Sequence, residues 1–351
     1  MKEMRPLRIC AIRLAPDEHQ SEGGVCATER WGHKSLGRLF LCLLIVTCWL
    51  PMRSLAQVDP LFSDYRRLQS YYNPAAIGLQ KDLLLTAAYH QQWIGIEGAP
   101  ANLFVSAHTE QQWGKSYHGV GLVVVAQRAG LFTRTEAQAE YAFQLRWKGE
   151  KILSIGTGLG MINLLYDGTK AHIPDGGAMT PNDPSLPQTP VSGRNFDLSA
   201  GILWHTPRYF IGVSGRHLTV PRITLDRLYY QKVPIHINAV CGYNITPPGA
   251  LLSWHPSLFA STNLTSWRVD VNLDVRLAQR WEAGLMYRPL QAAGLRLGAL
   301  FGKCHVGYLF EMPTSQLARG NWGSHELVIT YALPMSSHKK GINSYKSIRL
   351  L

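Results

Sequence analysis

The sequence predicts an all-β fold, a transmembrane β-barrel of the outer-membrane type with about fourteen antiparallel strands. Three observations carry this. The first is the stretch from Trp267 to Arg276. Trp267, Val269, Val271, Leu273 and Val275 alternate there with Arg268, Asp270, Asn272, Asp274 and Arg276. An extended strand therefore has one wholly apolar and one wholly polar face. A soluble sandwich accommodates one such strand equally well. Repetition decides, and it is the second observation. Ala137, Ala139, Tyr141, Phe143, Leu145 and Trp147 alternate with Gln138, Glu140, Gln144, Arg146 and Lys148. Stretches this long approach the ~9–11 residues that cross a bilayer and exceed the globular mode of about 5–6.

The third observation is how the connections sort. Extended stretches fall at roughly 83–90, 103–109, 119–127, 136–148, 151–163, 195–206, 209–217, 235–245, 254–262, 267–277, 280–289, 294–302, 303–311 and 324–333. Short joints follow the fourth (Gly149-Glu150), sixth (Pro207-Arg208), eighth (Thr246 to Gly249), tenth (around Gln279) and twelfth (Gly302-Lys303). Long ones follow the first, fifth, seventh and thirteenth. Outer-membrane barrels have short periplasmic turns, longer surface loops and an even strand count. A soluble sandwich has no reason to sort loops by strand parity. Three joints depart from the rule. Glu110 to His118, after the second stretch, is long for a turn, and the joints after the ninth and eleventh are short for surface loops.

Taken in order, the chain opens with residues 1–33, a leader for which two readings stay open: a start assigned too far upstream, or a genuine long n-region. Residues 34–56 read as a secretory signal peptide. The apolar run Leu39 to Leu50 is too short to span as a helix, basic residues precede it, and Ser54-Leu55-Ala56 supplies a small-residue cleavage site. Residues 57–82 are expected to be a periplasmic segment ahead of the barrel, 83–333 the barrel itself, and 334–351 a basic periplasmic tail. The tail carries Lys339, Lys340, Lys346 and Arg349 with no acid.

At 351 residues, 46% hydrophobic and 17% charged, the chain can form one large domain but not a helical membrane protein. Residues 1–56 carry 8 Lys+Arg and 5 Asp+Glu, so removing them lowers the formal charge from +12 to +9. Export argues against nucleic acid as the counter-ion and for anionic lipid headgroups or envelope polymers. Four cysteines lie in the leader or signal. Cys241 and Cys304 remain on separate stretches, and two cysteines are no disulfide framework. The Pro-rich loop Leu164 to Arg194, with Pro181, Pro184, Pro187 and Pro190, is placed on the cell surface by strand parity. Trp147, Trp204, Trp267 and Trp281 sit near strand ends, as an interfacial aromatic belt requires.

Little in the sequence suggests catalysis. Ser324-His325-Glu326 holds the residue types of a triad, but neighbours on a strand point to opposite faces, so adjacency works against convergence. The histidines are scattered, with no pair at metal-ligand spacing and no Cys-x-x-Cys, so no metal and no cofactor are expected. Gly156-Thr157-Gly158-Leu159-Gly160 has no helix after it to make a phosphate loop. Small residues on one strand face fit close packing against lumen side chains or a plug. Inward charges including Arg268, Asp270, Asp274 and Arg276 either line an ion-selective pore or form an ion-pair network bracing a closed lumen.

One family combines these features. Asp59-Pro60, Tyr65, Asn73-Pro74-Ala75 with Gly78, Tyr89 with Gln92-Trp93, Gly98-Ala99-Pro100 and Ser106-Ala107-His108 resemble the PorP/SprF family of the type IX secretion system. Further matches follow at Gly212-Val213-Ser214 with His217-Leu218, and at Tyr308, Thr314-Ser315, Leu317 and Gly323-Ser324-His325-Glu326 with Tyr331. The resemblance implies a non-enzymatic outer-membrane barrel of Bacteroidetes-type bacteria, serving protein secretion and, in some members, gliding motility. Its implied partners are outer-membrane lipid, the periplasmic ring lipoproteins of the machine and, for some members, one large secreted surface protein held by its C-terminal domain. No catalytic residue transfers. Gln57-Val58 stands where a Gln-Gln pair is common, and the Pro-rich loop is particular to this chain, a natural place for a substrate-specific contact. Asp59, Pro60, Tyr65, Asn73, Pro74, Trp93, Gly98, Pro100, Ser324, His325 and Glu326 are the expected partner-contact or motif residues. Asn73-Pro74 and Gly98-Ala99-Pro100 are turn-forming, and fit shaping of the 57–82 segment and the first loop.

Overall fold

The computed structural model describes residues 59–170, 189–226 and 229–335. The leader, the signal segment, Gln57 and Val58, the Pro-rich centre of the long loop (171–188) and the basic tail from Ser336 lie outside the described residues. The strands are β1 (Leu83–Gln91), β2 (Ala101–Trp113), β3 (Ser116–Ala129), β4 (Phe132–Trp147), β5 (Lys151–Tyr166), β6 (Val191–His205) and β7 (Tyr209–Arg216). They continue with β8 (Arg222–Thr224), β9 (Tyr230–Lys232), β10 (His236–Tyr243), β11 (Leu252–Thr262), β12 (Trp267–Leu277), β13 (Trp281–Arg288), β14 (Ala292–Phe301), β15 (Cys304–Pro313) and β16 (Ser324–Leu333). All but β8 and β9 form one closed antiparallel barrel of fourteen strands, and β8 pairs with β9 in a separate hairpin. Closure runs through β1 and β16, in register from Leu83 opposite Leu333 to Gln91 opposite His325.

Period-2 alternation builds the wall as the sequence predicts. Along β12 the residues Arg268, Asp270, Asn272 and Asp274 are buried while Trp267 and Leu273 are exposed. Leu159, Phe196, Ile202, Ile211, Val213 and Leu285 are more than half exposed. An apolar surface this extensive fits lipid rather than water. The joint expected to be long after the second strand is a tight turn, Gly114-Lys115, because β2 and β3 stay paired out to Trp113 and Ser116. Gly114 takes a positive φ of 62° there. Five of the six even-to-odd barrel joints are turns of two or three residues, the exception being the longer β10–β11 joint from Asn244 to Leu251, and this marks the periplasmic end. Trp113, Trp147, Trp204, Trp254 and Trp281 ring that end, with the Trp147 and Trp204 rings 5.6 Å apart. Trp267 lies at the opposite, surface end.

The core lies inside the barrel, and the chain's own N-terminal segment supplies much of it. Residues 60–77, expected to stand ahead of the barrel, are almost all buried within it. Phe62, Tyr65, Leu68, Tyr71 and Tyr72 pack on Phe104, Val123, Val125, Phe259 and Val328, which break the polar inward faces of their strands. Tyr65 stacks on Phe259 at 5.0 Å, and Phe62 meets Phe104 edge-on at 5.9 Å. A single α-turn (Gln69–Tyr72) and a 3-10 turn (Pro74–Ala76) fold the segment back on itself. Asn73 joins them. Its Oδ1 accepts from the Ala75 N–H at 2.9 Å, and its Nδ2 donates to the Ile202 carbonyl at 3.1 Å. Replacing Asn73 by alanine removes a cap and a tie to the wall together. The expected cost is about 1–2 kcal/mol, read as a lower urea midpoint for loss of the compact, heat-modifiable form.

The glycines of β5 have their reason here. A Cβ on Gly156 would strike the Pro74-Ala75 backbone, and one on Gly158 the Ser199 hydroxyl. The strand face is flat at Gly156 because the plug lies against it, and at Gly158 because a side chain of the neighbouring strand β6 does.

Candidate functional site

The plug descends and returns. Asp59 meets Arg134 and Arg216, near the surface ends of β4 and β7. Arg67 meets Glu282, near the periplasmic end of β13, at 2.6 Å. The chain then turns at 69–76 and leaves beside the periplasmic end of β2 and β3, where Gln144 donates to the Ile77 and Gly78 carbonyls at 3.1 and 2.7 Å. The first described residue of the plug is thus near the cell-surface end.

Three groups of bonds hold it. At the surface end, Asp59 accepts from Arg216 at 3.0 Å and from His217 Nε2 at 3.0 Å, and His217 Nδ1 lies 2.8 Å from Asp197. Midway, the Ser63 and Asp64 N–H groups donate to the Glu326 carboxylate at 2.7 and 2.9 Å, and Ser63 Oγ donates to Glu311 at 2.6 Å. Arg268 donates to the Phe62 carbonyl at 2.7 Å. Lower down, Asp64 pairs with Arg67, and Arg296 bridges to Asp274 at 2.5 Å. Arg276 pairs with Glu282 at 3.1 Å. The inward charges Arg268, Asp270, Asp274 and Arg276 therefore bond to one another, to neighbouring strands and to the plug, around a filled lumen.

Burial raises the Asp59 carboxyl, but His236, Arg216, His217 and Arg134 outweigh it and hold the group well below its usual range. For His217, burial lowers the imidazolium, and Asp59 with the Asp197 hydrogen bond outweighs that, so its pKa is raised. A raised histidine stabilises fully below its ordinary value, and the contribution is lost as pH rises through the folded value. Plug anchoring at Asp59 is therefore expected to loosen on the alkaline side. Maleimide labelling of Leu61→Cys, with Cys241 and Cys304 replaced by serine, should rise with pH beyond the reagent's own pH dependence. Asp59, Glu136 and His217 also stand close enough together to hold a cation. The oxygens of both carboxylates already face Arg134 and Arg216, a donor set for guanidinium rather than metal.

The motif residues separate into groups. Pro60, Tyr65, Asn73 and Pro74 are buried in the plug, and Asp59 is its upper anchor. These expected partner-contact or motif residues face the chain's own wall, where their apolar rings and turn geometry fill the lumen. Trp93, Pro100 and Ser324 come together at the surface end, where Ser324 Oγ accepts from the Trp93 N–H at 3.2 Å. Gly98, with φ of 71°, accepts from the Gly130 N–H at 2.9 Å, tying the first loop to the β3–β4 turn. The Ser324-His325-Glu326 run is split by the pleat. Ser324 and Glu326 face the lumen, while His325 lies outside, 2.6 Å from the Tyr308 hydroxyl.

Above the plug opens a vestibule of about 780 Å³. Asp59, Leu61, Arg288 and Glu311 lie at its floor, and the β8–β9 hairpin forms one wall, anchored by Ile223 and Val233 on Ile162 and Leu164. The sequence reading missed the vestibule and the glutamines that line it, since alternation assigns a face but not which strand ends meet across a mouth.

Comparison with known proteins adds the family. No curated protein matches this chain. Solved structures that resemble it are outer-membrane barrels. The Acinetobacter baumannii outer membrane protein Omp33 is 7% identical, covering 73% of this chain and all of that one, with TM-score 0.42. A Pseudomonas aeruginosa FadL homologue is 11% identical over 76% of this chain and 94% of its own, with TM-score 0.43. The Ralstonia pickettii toluene transporter TbuX is 9% identical over 76% and 93%, with TM-score 0.46. The family described as type IX secretion system membrane protein PorP/SprF matches residues 54–331, the whole of the barrel but its last residues together with the plug inside it, and the chain belongs to that family.

Proposed function

We propose that this outer-membrane barrel of the type IX secretion system is a closed, non-enzymatic scaffold that holds other proteins at the membrane. The observation that carries this is the plug: residues 59–78 occupy the lumen and are fixed at both ends and midway by buried ion pairs and hydrogen bonds. A filled lumen weighs against the alternative, a passive outer-membrane solute channel. It leaves the two rims as the working surfaces. The proposed partners are the periplasmic ring lipoproteins at one rim and one large secreted surface protein, through its C-terminal domain, at the other. Gliding motility in a Bacteroidetes-type host and export by a signal peptide ending at Ala56 complete the reading.

The surface rim supports an anchoring role. The first loop and the loop before β16 are joined by Ile94 N–H to the Gly323 carbonyl at 2.9 Å and Trp322 N–H to the Ile94 carbonyl at 2.8 Å. Trp322 is 79% exposed on that joined ledge. An indole so displayed beyond the strands suits a protein partner. The test is capture of the tagged barrel from solubilised outer membranes after mild crosslinking, with mass spectrometry of its partners. Ring lipoproteins mark a core component, and one large surface protein, lost in Trp322→Ser, marks a dedicated anchor. Recovery of neither from an intact barrel would refute the scaffold reading.

A further inference from the structure

We propose that the surface vestibule is a binding site for a neutral oligosaccharide, an activity separate from the scaffold role and independent of it. The volume of about 780 Å³ falls within the range of small-molecule sites, roughly 300–1,000 Å³. Its lining defines the chemistry. The charged groups at the floor are already matched: Asp59 lies 3.0 Å from both Arg134 and Arg216, and Arg288 reaches Asp270 at 2.6 Å and Glu311 at 2.7 Å. An ionic ligand would have to displace one of these pairs.

What remains is neutral. Four glutamines, Gln92, Gln127, Gln231 and Gln291, line the cavity, and among the described residues none of their side-chain amides has a hydrogen-bond partner. Gln92 is only 5% exposed. Each amide offers two donors and an acceptor. A wholly apolar ligand would leave them dry and unpaired, which disfavours its binding.

Beside the amides stand Trp93 and Phe132. Trp93 carries φ of 44°, a left-handed conformation that a bulky side chain rarely adopts, held by the Ser324 hydroxyl on its N–H. Aromatic rings beside free amides match a sugar, whose C–H face is apolar and whose hydroxyls both donate and accept. An extended peptide is less well served. Every barrel strand is paired on both sides, which leaves unpaired edges only on the short β8–β9 hairpin, Arg222–Thr224 and Tyr230–Lys232, too short to bind a peptide as an added strand of any length.

The experiment uses the full chain, purified in an amine-oxide detergent because maltoside detergents carry a sugar themselves. Maltotetraose, cellotetraose and mannotetraose are titrated against tryptophan fluorescence and calorimetry, with tetragalacturonate, laurate and a neutral extended peptide as comparators. At least one neutral tetrasaccharide should bind saturably and more tightly than any comparator. The double variant Gln127→Leu/Gln231→Leu and the single variant Trp93→Ala should each weaken that binding about tenfold, with heat-modifiable migration unchanged. The two variants lie on different elements, so misfolding of one leaves the other as the test. Absence of saturable binding by all three sugars, tighter binding of any comparator, or affinity indifferent to both sets of substitutions would overturn the proposal.

Discussion

Deleting residues 59–78 is expected to convert a silent barrel into a conducting one. In planar bilayers the full chain should show no discrete steps, and the deletion should show stepwise, long-lived conductance. The reason is geometric. Phe62, Tyr65, Leu68, Tyr71 and Tyr72 fill the centre of the lumen, and removing them leaves walls dominated by ion-paired arginines and carboxylates that water readily solvates. The deletion also strips partners from Glu326, Glu311 and Arg268, which then face water rather than a dry core. A second variant guards against a deletion that fails to fold. In Gly156→Leu the new side chain collides with the Pro74-Ala75 backbone, so the lower plug must lift from β5. That substitution should give intermittent openings with all residues present. A silent Gly156→Leu, together with a folded but silent deletion, would show that something other than the plug closes this lumen.

Replacing Arg288 by methionine should be the most damaging single change in the wall. Arg288 is 3% exposed and bonds to Asp270, Glu311 and the Ser63 hydroxyl, at 2.6, 2.7 and 3.0 Å. Asp270 keeps Arg268 as a partner, whereas Glu311 keeps only the Ser63 hydroxyl among the described residues. Breaking a buried pair by removing one partner costs about 3–5 kcal/mol, because a charge is left in a poorly solvated site. The compact band on unboiled gels should convert at a markedly lower temperature in Arg288→Met than in the wild-type chain. Adding Glu311→Gln should restore much of the loss, since the uncompensated charge is then gone. If the double variant is no better than the single, the damage comes from lost packing rather than from charge.

The barrel was legible because its signal is local and repeated. In β12 the alternation from Trp267 to Arg276 specifies a face at every residue, and tight turns such as Gly302-Lys303 specify the ends. The plug was not legible, because 59–78 has no period: its aromatic residues, Pro60, Pro74 and single charges read as punctuation. Two traces of it were present. Gly156, on the same face of β5 as Gly158 and Gly160, keeps the wall clear for the plug, whereas the other two make room for Ser199 and Gln138 of the neighbouring strands. Phe104, Phe259 and Val328 interrupt faces that are otherwise polar, a mismatch that reports something apolar inside. For the candidate site, Trp93, Pro100 and Ser324 were picked out as motif residues, but their meeting at one mouth depends on closure between β1 and β16, far apart in the chain. The four glutamines carry no sequence signal, since isolated amides are common in strands and loops alike, and Gln127 and Gln231 lie in strands while Gln92 and Gln291 lie in loops.

The path of the plug also orders the birth of the molecule. Its strand-to-strand neighbours reach from Asn238 and Ser214 to Glu326, so the segment is wrapped on all sides by a wall whose first and last strands meet at β1 and β16. A segment that reaches the far end and doubles back cannot readily be threaded into a finished cylinder. The closed wall is what a sheet curling around the segment would leave, with the N-terminal residues as the mandrel and β1 meeting β16 around them.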